Sequence, residues 1–361
     1  MRVPFAFALL CAGLVHAQSG TIAALPLANA GTNRSVEWIG ESIAAAIRES
    51  LASRGLLVLE REDLAQALKQ LGIKERAPMT LASALKAAEA LDAELVVFGQ
   101  FKLEPDASPT QSKVEVNIRL AGRKASQAID LRESGTLANL STLENHLSWQ
   151  VLSKIAKGYV PAEDQSESLR LPSRAGAEEA HARGLMEIAP EQQEKYFSQA
   201  LTLDPRYSDP AYHLGQLYYG RKEYKKAAEL LVKVDPRDSH FRMASFMLGL
   251  ARFQSADYAG AIQTFSAIAE QAPLPEVLNN LGAAESRKGM SQALADLARA
   301  VDADPNDPTF RFNLRYYQWK TGDFNAAIDS FRATVVRDPD DPVATLLLGR
   351  SLNKQGLRAD A

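Results

Sequence analysis

The sequence predicts an α+β protein in which a mixed α/β domain precedes an all-α solenoid of about 5.5 helix–turn–helix units. The dipeptides Asp304-Pro305 and Asp338-Pro339 lie 34 residues apart, and helix-length apolar patterns with internal turns recur at that spacing. Self-similarity at this period is typical of stacked helix pairs, because one such unit cannot bury its own apolar face. The earlier half instead mixes apolar runs of strand length with amphipathic helix patterns, which predicts helices packed on a sheet.

Composition places the chain among folded proteins with room for two domains. It has 361 residues, 46% of them hydrophobic and 24% charged, and a formal net charge of −3. A general nucleic-acid binder would usually be basic, so we expect no nucleic-acid partner.

Residues 1–17 are predicted to be a secretory signal peptide. Arg2 supplies a positive start, residues 5–15 form a short apolar core, and small residues precede cleavage after Ala17. Lipidation at Cys11 is the alternative, although Leu10 stands where lipoproteins usually have a small residue. We expect an exported, periplasmic protein with no disulfides and no transmembrane segment after cleavage, since Cys11 is the single cysteine and later apolar runs are too short.

The α/β domain is predicted to span residues 18–157. One helix begins after Ser35 and ends before Gly55, and another opens at a capping box formed by Ser141 and Glu144. Gly99 is predicted to mark a bulge or a close backbone approach. The predicted strands are residues 21–29, 56–59, 94–103, 114–120 and 127–133, and the remaining predicted helices are residues 63–71 and 81–91.

Several local strings in this domain resemble the TolB amino-terminal-like domain and its relatives among curli-secretion and flagellar-assembly lipoproteins. The strings are residues 22–27, 38–40, 59–64 and 95–99. The resemblance implies an interaction or assembly module of the cell envelope. The β-propeller of TolB does not follow here, so the resemblance implies none of TolB's own partners.

Residues 158–175 are polar and contain two prolines, and they are predicted to be a linker. The array then occupies residues 176–361, with its last unit incomplete. Leu-Gly pairs recur in the first helix of most units, followed by alanine and an aromatic residue in the second helix. These residues, including Leu248, Gly249, Ala261 and Phe265, resemble the tetratricopeptide repeat signature. Small residues would let the two helices approach closely while the aromatic residue fills the gap between units.

That resemblance implies a concave surface lined by the first helix of each unit, on which we expect a protein segment to bind. Aromatic side chains suit such a surface because they supply a large contact area at low entropic cost. Spacing alone leaves open that about half of these residues instead pack between helices. The predicted groove residues are Tyr212, Tyr219, Phe246, Phe253, Asn279, Phe312, Tyr316, Trp319 and Arg350.

The array stops where a second helix of its sixth unit is due. Leu346, Leu347 and Leu352 would then lie on a lone helix, although a solenoid needs a polar cap on its last apolar face. The sequence favours a truncated repeat, and self-association or a bound partner is the alternative way to cover this face.

No catalytic, cofactor or metal signature accompanies these patterns. His146, His181, His213 and His240 are isolated along the sequence, without an HExxH motif or cysteine partner. The predicted function is therefore a non-catalytic scaffold of the cell envelope with protein partners. The alternative is a ligand-sensing or assembly module, in which the α/β domain binds a small molecule or anion and the repeats relay its state. The turn at residues 31–35, before a helix N-terminus, is one place where an anion would be held.

Overall fold

The computed structural model describes residues 20–155, 162, 173–337 and 339–356, so the predicted signal peptide and most of the predicted linker lie outside the described residues. The described chain forms two compact units. The first unit comprises residues 20–155, 162, 173–217 and 233–241, and the second comprises the rest of the described residues from 218 onward. Among these residues no helix is long and apolar enough to cross a membrane.

A mixed five-stranded sheet forms the centre of the first unit. The strands are β1 (Ile22–Ala24), β2 (Ala28–Asn29), β3 (Leu95–Glu104), β4 (Lys113–Gly122) and β5 (Ile129–Thr136). Strands β1 and β2 pair with β3 in parallel, whereas β3, β4 and β5 form an antiparallel meander. The central strand, the hairpin and the mixed sheet predicted from the sequence are therefore confirmed.

Helices cover both faces of this sheet. The four helices of the α/β region are α1 (Trp38–Ala52), α2 (Arg61–Gln70), α3 (Leu81–Ala90) and α4 (Leu140–Ile155). Apolar residues of α1 and α4 share a buried cluster with one sheet face, while α2 and α3 pack on the other face. The alternation of Val114, Val116 and Ile118 with polar residues follows from this arrangement, since these three side chains all point toward α1 and α4.

Gly99 is required where β3 passes β4. A β-carbon at this position would lie 2.2 Å from the carbonyl oxygen of Asn117, which no side chain tolerates. The predicted close backbone approach is confirmed.

Two local predictions for this region are wrong. Residues 56–59 form only an isolated bridge, between Ile22 and Val58, because the chain leaves the sheet edge after one residue. Glu144 does not close a capping box, because α4 already begins at Leu140 and the Glu144 carboxylate accepts a 2.6 Å hydrogen bond from the Ser42 hydroxyl. A tertiary partner on α1 takes the place of the local one.

Helix α5 (Ala175–Met186) packs directly on α1. Ala182 is completely buried and belongs to the same apolar cluster as the sheet face beneath α1. The Arg183 guanidinium also donates a 2.8 Å hydrogen bond to the carbonyl oxygen of Ser35. The beginning of the helical array is thus part of the core of the α/β region.

The remaining helices follow one another at short intervals, each 8 to 14 residues long, as the predicted repeat array requires. Asp307 and Asp341 cap the helices that start at the next proline, and each accepts hydrogen bonds of 2.7–3.0 Å from two backbone N–H groups. The helices are α6 (Pro190–Leu203), α7 (Ser208–Gly220), α8 (Tyr224–Leu231), α9 (Phe241–Gln254), α10 (Tyr258–Gln271), α11 (Pro275–Lys288), α12 (Ala293–Ala303), α13 (Pro308–Thr321), α14 (Phe324–Arg337) and α15 (Pro342–Leu352).

Candidate functional site

The nine predicted groove residues divide into a buried and a half-buried set. Tyr212 belongs to the first compact unit, and the other eight belong to the second. The half-buried residues are Tyr219, Tyr316 and Arg350. The buried residues are Tyr212, Phe246, Phe253, Asn279, Phe312 and Trp319. Burial of six side chains agrees with the packing alternative that the sequence left open, and the groove itself stays a prediction.

Trp319 is the centre of the aromatic group on α13. Its ring lies 5.5 Å from the ring of Tyr316, and its indole N–H donates a 2.9 Å hydrogen bond to the carbonyl oxygen of Gln355. The guanidinium carbon of Arg350 lies 5.1 Å from the centre of the Trp319 ring, within range of a cation–π interaction. The buried indole therefore supports the two side chains, Tyr316 and Arg350, that reach the surface.

Other predicted aromatic residues contact the second helix of their own repeat. Phe246 and Phe265 lie edge to face with ring centres 5.9 Å apart, and Phe253 meets Tyr258 at 5.5 Å. Tyr219 meets Tyr224 edge to face at 5.3 Å, and burial raises the pKa of Tyr219 to about 12. These contacts join the two helices of a repeat.

Asn279 connects two successive repeats through hydrogen bonds. Its amide oxygen accepts a 2.9 Å hydrogen bond from Asn313, the residue 34 positions later on α13. Its amide nitrogen donates to Asn280 at 3.2 Å, and all three amides are buried. Because an unsatisfied buried amide is costly, these bonds favour one register between α11 and α13.

Three of the histidines that are isolated along the sequence come together in space. The rings of His181 and His213 lie 5.4 Å apart, and the rings of His213 and His240 lie 5.9 Å apart. The Tyr207 hydroxyl lies 2.9 Å from Nδ1 of His181. Burial lowers the pKa of His213 to about 4, so this imidazole is neutral at physiological pH.

Two aspartates meet His240 at the edge of this cluster. Nδ1 of His240 lies 3.3 Å from Oδ1 of Asp209 and 3.2 Å from Oδ1 of Asp238. Asp209 lies in the first turn of α7, and Asp238 and His240 immediately precede α9. Within the described residues these three form a group that could hold a metal ion, which sequence analysis missed. The Asp-x-His spacing of 238 and 240 was the available signal.

In the turn at residues 31–35, nearby side chains already accept hydrogen bonds from two backbone N–H groups. The Asn29 side chain accepts the Gly31 N–H at 2.8 Å, and the Asn33 side chain accepts the Ser35 N–H at 3.0 Å. Two donors that an anion would need are thus already engaged, and the ligand-sensing alternative stays a prediction.

A comparison with protein families matches tetratricopeptide repeats at residues 246–308 and 316–361. Among solved structures, YrrB, described as a TPR protein with an unusual peptide-binding site, is 16% identical and has a TM-score of 0.39, covering 56% of this chain and 90% of its own. MamA from Desulfovibrio magneticus RS-1 is 20% identical with a TM-score of 0.40, and the match covers 46% of this chain and 95% of MamA. PilF of Pseudomonas aeruginosa is 15% identical with a TM-score of 0.38, and the match covers 61% of this chain and 94% of PilF.

No curated protein matches the chain. The matched ranges overlap helices α9 to α15, which include the aspartate-capped helices and the 34-residue spacing of Asn279 and Asn313. The chain therefore carries tetratricopeptide repeats, a fold that serves as a scaffold for protein–protein interaction.

Proposed function

We propose that this chain is a non-catalytic scaffold of the cell envelope that binds a segment of a partner protein on its tetratricopeptide repeats. The observation that carries the proposal is the half-buried pair Tyr316 and Arg350 held on the buried ring of Trp319. An aromatic ring and a cation fixed by a rigid support are the features that dominate interface energetics.

The chemistry of this pair favours a partner segment of one kind. Tyr316 offers a ring face to an apolar or aromatic side chain, and Arg350 offers hydrogen-bond donors to a carboxylate. We therefore propose a segment that places an acidic residue near an apolar one. The predicted signal peptide supports export, and we propose a periplasmic location for the mature protein.

Crosslinking and capture tests this function. The purified chain, without its predicted signal peptide and carrying a photoreactive group at Tyr316, would be exposed to a periplasmic extract, and captured proteins would be identified by mass spectrometry. We expect one or a few partners, with capture reduced at least tenfold by the Arg350→Ala substitution.

Tyr258 supplies a matched control because it is half-buried but lies on α10, the second helix of its repeat. A photoreactive group at Tyr258 should capture little. Equal capture from both positions, or capture that Arg350→Ala leaves unchanged, would overturn the proposed surface.

A further inference from the structure

The group formed by Asp209, Asp238 and His240 has the chemistry of a metal site. We propose that these three side chains bind one divalent transition-metal cation such as Zn²⁺, which joins the beginning of α7 to the segment that precedes α9. The proposal is independent of the scaffold function, because it concerns the first compact unit, where all three residues lie.

The separations of the two carboxylate oxygens from the imidazole nitrogen match those of a tetrahedral site. Zinc bonds of about 2.0–2.1 Å to nitrogen and oxygen place neighbouring ligand atoms of a tetrahedron about 3.3 Å apart. The observed separations from Nδ1 of His240 are 3.3 Å to Asp209 and 3.2 Å to Asp238, and the three ligand atoms all lie within 4.8 Å of one another. Charge-assisted hydrogen bonds between nitrogen and a carboxylate are about 2.7–2.9 Å long, which is shorter than both of these separations from Nδ1 of His240.

The charge balance also favours a divalent cation. Asp209 is only 2% exposed, so its carboxylate has little hydration to compensate for burial. A protonated His240 would supply one positive charge beside the two carboxylates, and the beginning of α7 would add a partial positive charge. A divalent cation with a neutral imidazole would neutralise both carboxylates.

Surrounding contacts hold the ligands in place before any metal arrives. The backbone N–H of His240 donates a 2.8 Å hydrogen bond to Oδ1 of Asp238, and the His240 ring stacks on Tyr212 at 4.4 Å. The backbone N–H of Asp235 donates to the Ser208 hydroxyl at 3.0 Å, which ties the loop to the start of α7. Preorganised ligands of this kind lower the cost of ordering a site on binding.

The donor set favours zinc over magnesium. Imidazole nitrogen is a ligand for zinc and related transition metals, whereas magnesium prefers an octahedral set of oxygen atoms and keeps several waters. Two carboxylates and one imidazole leave a fourth tetrahedral position for water or a neighbouring group. We infer a structural role, since the site connects two segments of one unit and the ring of Tyr212 covers one side.

Metal titration of the full chain tests the site. The protein, freed of any affinity tag and treated with EDTA, would be titrated with Zn²⁺ by calorimetry and with Co²⁺ by visible absorption. We expect one equivalent bound, tetrahedral Co²⁺ absorption bands, and a melting temperature that rises with Zn²⁺ concentration. Mg²⁺ at the same concentration should leave the melting temperature unchanged.

Two variants locate the binding. Asp238→Asn and His240→Gln should each weaken Zn²⁺ binding at least tenfold, since changes even to residues that only orient ligands cost 10–100-fold. His146→Gln is the matched control, because His146 pairs with the carboxylate of Glu133 outside the proposed site. This variant should bind Zn²⁺ as tightly as the unchanged chain. The proposal is overturned if the unchanged chain binds no Zn²⁺, or if His240→Gln binds it equally well. The titration of the unchanged chain needs no variant, so it can still overturn the proposal if a variant fails to fold.

Discussion

Phe265 of α10 lies against the backbone of Gly249 on α9. A β-carbon at position 249 would be only 2.6 Å from the nearest ring carbon of Phe265, and Phe265 itself is completely buried. The absence of a side chain at Gly249 is therefore what allows the two helices of this repeat to approach. The sequence pattern of a small residue followed by an aromatic one has this contact as its physical basis.

We expect Gly249→Ala to destabilise the chain by about 1–3 kcal/mol, because the added methyl group forces Phe265 or the helix to move in a close-packed interior. The higher helix propensity of alanine offsets at most about 1 kcal/mol of this loss. The free energy of unfolding from urea denaturation, followed by circular dichroism, measures the change.

Gly349 is the matched control, since it ends the corresponding Leu-Gly pair on α15. Apart from its two chain neighbours and the nearby backbone of α15, no atom of the described chain lies within 4 Å of a β-carbon built there. Gly349→Ala should therefore be neutral or stabilise by up to about 1 kcal/mol. Equal destabilisation by both substitutions would show that Gly249 does not act by making room for Phe265.

Substitutions of Trp319 and Tyr316 should lower the free energy of unfolding by different amounts. Trp319 is 2% exposed and its indole is hydrogen-bonded, so Trp319→Ala is expected to cost about 3–5 kcal/mol of unfolding free energy. Tyr316 is half-buried, and Tyr316→Ala should cost less than half as much. The comparison uses the same urea denaturation, and a similar loss for both would place Tyr316 in the core and remove it from the proposed surface.

Glu41 on α1 is a completely buried carboxylate surrounded by three arginines. Its oxygens lie 3.0 Å from Arg48, 3.3 Å from Arg61 and 3.7 Å from Arg76. Glu41→Gln keeps the shape but leaves these cations without their central anion, and removing one partner of a buried ion pair costs about 3–5 kcal/mol. Thermal and urea unfolding should both show a loss of this size.

Glu104 gives the contrasting case, because its pairing with Lys102 lies on the exposed surface. Glu104→Gln should leave the unfolding transition unchanged, as exposed ion pairs contribute little. If Glu41→Gln is equally harmless, solvent must reach the arginines and the network is not a buried one.

The repeat spacing made much of the second unit predictable. Asn279 and Asn313, 34 residues apart, occupy equivalent positions on α11 and α13, and they meet in the structure. Gly99 was also predictable, because a glycine inside an apolar strand weakens the strand unless a bulge or a close backbone contact requires it. In both cases a local rule and the tertiary contact agree.

The polar clusters were not predictable, because no local rule specifies which distant residues meet. His181, His213 and His240 are separated by about 30 residues each, yet successive helices bring their rings together. Glu144 has a local pattern typical of a cap, but its carboxylate accepts a hydrogen bond from Ser42 on another helix. A tertiary hydrogen bond thus replaced the local one that the sequence favoured.

Glu285 on α11 shows the same dependence on a distant partner. It is 4% exposed, and the charged group that acts on it is the carboxylate of Asp296 on α12, which accepts a 3.0 Å hydrogen bond from Arg299. Burial and the neighbouring Asp296 raise the pKa of Glu285 to about 7, so the folded chain holds a proton that the unfolded chain releases near pH 4.5.

The free energy of unfolding should therefore decrease as the pH rises from about 4.5 to above 7, because over this range the folded state binds the proton more tightly than the unfolded state. With about 1.4 kcal/mol per pKa unit, the decrease is at most about 3.5 kcal/mol. Glu285→Gln mimics the protonated group, so it should flatten this part of the pH profile and unfold at a higher temperature at pH 8. Glu270→Gln, at an exposed position of α10, should keep the original profile. If Glu285→Gln and the unchanged chain lose stability equally between pH 5 and pH 8, the proton is not held at Glu285.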